Sequence, residues 1–157
     1  MASKSVRSRF LIGVAALVAA AVVVDVAVAA AAAARVSSKM NSSQVVVPRK
    51  PIGNVKNAQG NFTGTLTQSH GGWKLAWKIT YKDLANPVVV IADVHKGKPG
   101  HFGPILVRLC AQCHTGQGGV KRVTPEAAKT MQSGGAFITL ITGKNPNGEI
   151  RGQIARG

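Results

Sequence analysis

Acidic side chains are scarce in this 157-residue chain: five Asp and Glu stand against twenty Lys and Arg, a formal net charge of +15. The acids beyond the N-terminus are Asp83 at a turn, Asp93, Glu126 at a helix start and Glu149 in the last strand. Carboxylate pairs for general acid–base catalysis are therefore hard to assemble. No serine, histidine and acid arrangement has a recognisable spacing, and no glycine-rich phosphate loop leads from a strand into a helix. An enzyme is not expected. The chain also lacks internal repeats, and helical periodicity is confined to one short segment. Cysteine occurs twice, in the run Cys110-Ala111-Gln112-Cys113-His114.

What is abundant begins at the N-terminus. Met1 to Phe10 carries Lys4, Arg7 and Arg9 with no acid, and Leu11 to Ala34 is Ala, Val, Leu, Ile and Gly broken only by Asp25. A basic stretch, an apolar stretch and Ala-x-Ala options make residues 1–34 a secretory signal, with the mature chain starting near Arg35. Arg7 and Arg9 are not adjacent, which favours the general secretory route over the twin-arginine one. Left uncleaved, the roughly 24 apolar residues are long enough to anchor the chain in a bilayer. Either way a secreted or extracytoplasmic location is expected. Beyond residue 35, 16 Lys and Arg face 4 acids, hence +12. Such a charge suits an anionic polymer or envelope surface, or an unidentified protein, as partner. The lysines are scattered rather than clustered, so a merely solvated surface is the plain alternative and no nucleic acid is expected.

Residues 35–58 are Ser, Asn, Pro and Lys rich without a sustained period, a linker or loosely attached first strand. From residue 59 to 157 the pattern is β. In Trp73-Lys74-Leu75-Ala76-Trp77-Lys78-Ile79-Thr80-Tyr81 the large apolar residues alternate with Lys and Thr, predicting a strand with one buried face. Further strands are expected at Val88 to Val94, Ile105 to Leu109, Ala136 to Thr142 and Glu149 to Ala155. The last two are joined through Asn147-Gly148, a hairpin signal. Thr124-Pro125-Glu126 starts a short helix that ends at Gly134-Gly135. Six or so strands with turns at this spacing argue a β-sandwich or small barrel. Glu149 and Arg151, two apart on one strand, share a face and can pair with each other or with a cross-strand charge.

Cys110-Ala111-Gln112-Cys113-His114 spells the C-x-x-C-H pattern that attaches a c-type haem. Haem would use Cys110 and Cys113 as thioethers, His114 as axial ligand, a second ligand such as Met131, and a wrapping pocket. Small cytochromes usually build that pocket from helices, whereas the interior here is filled by Trp, Leu, Ile and Val on strands. An exported disulfide and a reactive dithiol are the other readings.

The segment Gly60 to Ile154 resembles the CHRD domain, a module named from chordin and found singly in exported bacterial proteins. The matching pieces are Gly60-Asn61-Phe62-Thr63-Gly64-Thr65-Leu66, Leu75 to Tyr81 with Leu84, His95-Lys96-Gly97 leading to Gly103-Pro104, and Leu109-Cys110 with Cys113. They continue with Val123-Thr124-Pro125-Glu126, Gly134, and the closing Asn145-Pro146-Asn147-Gly148-Glu149-Ile150-Arg151-Gly152-Gln153-Ile154. The resemblance implies an all-β fold, an immunoglobulin-like or superoxide-dismutase-like antiparallel β-sandwich with one short inserted helix. It implies no settled activity and no cofactor. It also implies a Cys110–Cys113 disulfide closing a tight loop, with His114 incidental. The family commonly carries His-x-His at the end of the third strand; here Asp93 replaces the first member, so a metal at Asp93, His95 and His101 is a weakened alternative. A non-enzymatic binding or structural module is expected, with exposed lysines at Lys74, Lys78 and Lys82 and at Lys96 and Lys98 as its surface.

Overall fold

The computed structural model describes residues 33–46, 51–85 and 89–157. The strands are β1 (Ala34–Asn41), β2 (Gln59–Ser69), β3 (Gly72–Lys82), β4 (Val89–Lys96), β5 (Ile105–Ala111), β6 (Gly118–Val123), β7 (Ala136–Thr142), β8 (Ile150–Gln153) and β9 (Ala155–Arg156). A 3-10 turn, Ser42–Gln44, follows β1, and the one helix, α1 (Pro125–Gln132), sits between β6 and β7. The strands run in the order β5-β4-β7-β8-β1-β2-β3-β6, with β9 beside β1. Every pairing among the described residues is antiparallel. The end strands β5 and β6 approach one another, so the sheet nearly closes on itself and its inner face becomes a sandwich-like core.

Alternation in the sequence is what selects that face. On β2 and β3, Phe62, Leu66, Leu75, Trp77 and Ile79 point inward, while Thr63, Lys74 and Lys78 point out. Val94, Leu109, Ile138, Leu140, Ile150 and Ile154 complete the core from the other strands. Helix α1 closes one end: Thr124 caps it by accepting the Ala127 N–H at 3.1 Å, Pro125 is its first residue, and Met131 is fully buried.

Three elements depart from the sequence expectation. The stretch 35–58 holds β1, which is paired along its whole length with β2, from Ala34↔Leu66 to Asn41↔Gln59, and buries Val36 and Met40. It lies in the middle of the strand order. Strand β6 pairs with β3 from Trp73↔Val123 to Lys78↔Gly118 and was not expected. Strand β5 runs on past Leu109 through Cys110 and Ala111. Residues 1–32, which carry most of the expected signal segment, lie outside the described residues; Ala34, at the end of that segment, opens β1.

The two halves of the sheet differ in how they are covered. Strands β1, β2 and β3 are buried on the inner face only, and β6 has no buried residue. On β7, six of seven residues are buried, the outer-face Phe137 and Thr139 among them. The 3-10 turn and the loop after β4 lie against this half, as their hydrogen bonds with Arg151 and Gln153 of β8 show.

At the junction of the halves, β1 and β8 share the register pair Asn41↔Arg151. A side chain on Gly152 would run into the Ser38 hydroxyl and the Lys39 backbone. Gly152→Ala is expected to lower stability by about 1–3 kcal/mol or more through overpacking against backbone. Gly71→Ala, with only the Ser69 hydroxyl at 4.0 Å, should change it by less than about 0.5 kcal/mol. Urea unfolding of the two variants measures the contrast.

Candidate functional site

The closing motif folds around a buried carboxylate. Asn145 to Gly148 make the turn between β7 and β8, with the Gly148 N–H donating to Asn145 O at 3.0 Å. Glu149 is wholly buried, and its oxygens accept from Thr142 Oγ1 at 2.7 Å, Asn145 Nδ2 at 3.0 Å and the Ala85 backbone N–H. Asn145 also holds the distant backbone of Ile52, accepting its N–H at 2.6 Å and donating to its carbonyl at 3.2 Å. One carboxylate and one amide thus tie three loops together.

Two residues on, Arg151 is engaged elsewhere, and the expected Glu149–Arg151 pair is not formed. Arg151 is 4% exposed, and its guanidinium lies 3.9 Å from the centroid of the Phe137 ring. Nη1 donates to Gln44 O, and Nη2 to the carbonyls of Lys98 and His101, each at 3.2 Å. Burial pushes Arg151 down from its ordinary value. The reason for the failed pairing is the turn, which directs Glu149 to its own hairpin and to Ala85.

The residues considered for a metal are not gathered into a site among the described residues. Asp93 is buried, and both its oxygens are taken by Arg108, at 3.0 Å to Nε and 3.1 Å to Nη2. That hydrogen bonding raises Arg108 above its ordinary value. The His95 ring stacks on Phe137 at 5.0 Å, and its Nδ1 contacts Gly103 O at 3.1 Å. His101 serves through its carbonyl. Among the described residues no three His, Cys, Asp or Glu side chains gather where they could hold a metal.

Cys110 and Cys113 pair as a disulfide across a Cα–Cα distance of 5.6 Å, and both are buried. The loop they close is sewn onto the end of β3. Tyr81 donates its hydroxyl to Cys113 O at 3.1 Å, and its backbone N–H and carbonyl both bond Thr115 Oγ1. Partial burial raises the Tyr81 phenol above its ordinary value. His114 is exposed, with its Nδ1 near the Thr115 carbonyl. The sulfurs a haem thioether would need are those of the disulfide, so the two states exclude one another.

The lysines fall into two groups. Lys74, Lys78 and Lys82 all lie on the outer face of β3, and β1 adds Arg35 and Lys39 and β6 adds Arg122 on the same face. All six are exposed, and no Asp or Glu among the described residues shares that face. Between them Ser37, Thr63, Thr65 and Thr80 offer hydroxyls, and a shallow groove of about 630 Å3 runs between Arg35 and Lys78. Lys96 and Lys98 are not part of it. Lys96 ends β4 and pairs with Glu126 at 2.8 Å, a hydrogen bond that holds the Glu126 carboxyl below its ordinary value.

A family model described as the CHRD domain matches residues 36–154, most of the chain. The chain belongs to the CHRD domain family. No curated protein and no solved structure matches it. The CHRD match opens at Val36, inside β1, and so takes in the strand that the resemblance beginning at Gly60 left out. Within the CHRD domain the closing motif is a structural centre: Glu149 and Arg151 fasten loops rather than face solvent. Sequence reasoning gave no role to Phe137, Arg35, Lys39 or Arg122, and it named Asn145 only as part of the closing motif. Arg35 and Lys39 had a usable signal, a spacing of four residues that matches Lys74, Lys78 and Lys82.

Replacing Glu149 by Gln puts an NH2 group against buried donors and should cost about 3 kcal/mol in denaturant unfolding. Removing both cysteines should cost less, about 2 kcal/mol, because loop-closure entropy is small for so short a loop. Intact mass of the purified protein should lie two hydrogens below the reduced chain, with no Soret band; a haem-sized increment would replace the disulfide by haem.

Proposed function

We propose that this CHRD domain is an exported, non-enzymatic binding or structural module whose cationic sheet face holds an anionic polymer of the cell envelope or extracellular space. The observation that carries this reading is the outer face of β1, β2, β3 and β6: six cations, no acid among the described residues, and a floor of hydroxyl side chains. Cations set along neighbouring strands meet an extended chain of negative charge at several points at once. Threonine and serine hydroxyls between them suit a polymer that carries hydrogen-bonding groups, an acidic polysaccharide or a polyol phosphate. Residues 1–34 act as the secretory signal in this reading, and cleavage before Arg35 leaves β1 whole but for Ala34. Without cleavage the same segment anchors the module to a membrane.

Retention on an immobilised acidic polysaccharide is the direct test. It should fall steeply with salt, since exposed charges are screened over about 8–10 Å at physiological ionic strength. Reversing Lys74, Lys78 and Lys82 to Glu together should weaken binding on the order of tenfold, at a few tenths to one kcal/mol for each exposed pair. Reversing Lys129, on α1, should leave it unchanged. Equal effects of the two variants, or no retention at low salt, would remove the face as the binding surface.

A further inference from the structure

The outer face of β4, β7 and β8 encloses a cavity of about 200 Å3, separate from the cationic face and from the disulfide. Its walls are largely hydrocarbon: Val45 and Val46 after the 3-10 turn, Phe102 from the loop after β4, and Phe137 of β7. Into these walls are set His95 and Arg151. A concave, mostly apolar space with a few fixed polar groups is the ordinary form of a small-molecule site. Drug-sized ligands occupy ~300 Å3 and more, so an occupant here is small.

The charge of the occupant follows from Arg151. Its two Nη atoms donate to three backbone carbonyls and, at 3.4 Å, to Gln153 Oε1. Its Nε–H is buried with no partner among the described residues. None of the groups that meet it is a carboxylate. Asp93, in the same cross-strand row through Thr139, is bound on both oxygens by Arg108, and Glu149 is turned to Thr142 and Asn145. Arg151 is therefore a buried cation held by neutral dipoles, with one donor unmet and no counter-ion in contact. A charge in such a wall attracts an anion more strongly than a solvated lysine does, because water is excluded from between them. The His95 ring stacks on Phe137, 5° from coplanar, and both residues line the cavity.

We propose that this cavity binds a small organic anion, a carboxylate on a compact apolar body, with Arg151 as its charge anchor. Benzoate is a suitable probe and benzamide its neutral counterpart. Titrated into the folded protein, benzoate should shift the backbone amide NMR signals of Gly103, Thr139 and Asn147 saturably. Benzamide should bind at least about tenfold more weakly, for want of the charged hydrogen bond. Arg151→Gln should bring the two ligands to equal affinity. Val46→Phe, which fills the cavity, should abolish both and keep the fold. Benzamide binding as well as benzoate, shifts confined to the lysine-bearing face, or benzoate binding retained in Val46→Phe would each overturn the proposal. If Arg151→Gln fails to fold, the benzamide comparison and Val46→Phe decide the matter.

Discussion

Burying an ionised side chain costs several kcal/mol unless its donors or acceptors are met, and the closing motif buries two of opposite sign, Glu149 and Arg151, without pairing them. Each must be satisfied separately, and that demand arranges the loops. Glu149 requires donors, so Thr142, Asn145 and the Ala85 N–H converge on it. Arg151 requires acceptors, so the carbonyls of Gln44, Lys98 and His101 are drawn over the outer face of β8. Segments from residues 44, 52, 85 and 98–101 are held by a motif about fifty to a hundred residues away in sequence. Mutual pairing would have taken these anchors from the segments at 44, 85 and 98–101.

Covering one half of the sheet has a consequence for the other. The loops gathered by Glu149 and Arg151 bury β7 on both faces, which is why its sequence, Ala-Phe-Ile-Thr-Leu-Ile-Thr, reads as nearly continuous apolar. No comparable motif among the described residues covers β1, β2 and β3, and their outer face stays in solvent, its exposed residues alternating with buried ones. The disulfide loop belongs to neither arrangement. It ends β5 and, through Tyr81 and Thr115, fixes the edge of β3 near β6.

Legibility in the sequence tracked how far each strand relied on its own side chains. Strand β3 was plain because Leu75, Trp77 and Ile79 alternate with lysine and bury themselves. Strand β6, Gly-Gly-Val-Lys-Arg-Val, was not, because it opens on two glycines and none of its residues is buried, so it carries no alternation of its own. Strand β1 hides Ser38 among its inward residues, leaving Val36 and Met40 as its only large apolar ones. The helix cap and the asparagine-glycine turn are local chemistry and were readable. The pairing of Glu149 was a matter of what lay across the turn, and strand parity alone does not contain it.

The basic residues look scattered along the chain, yet the fold collects six of them, since a spacing of four residues always returns a strand to the same face. Four residues of strand span about 13–14 Å, more than the ~8–10 Å screening length. Lys74, Lys78 and Lys82 therefore repel one another little along β3. Across strands the situation is different: Lys74 lies directly opposite Arg122. Like charges in that position are unfavourable by roughly 0.2–1 kcal/mol, and neither lysine nor arginine there has an acid to relieve it among the described residues. A polyanion laid across β3 and β6 would cancel this repulsion as well as adding its own attraction. Binding would then be strongest where the free sheet is least content, at the Lys74–Arg122 pair rather than evenly along the lysine row.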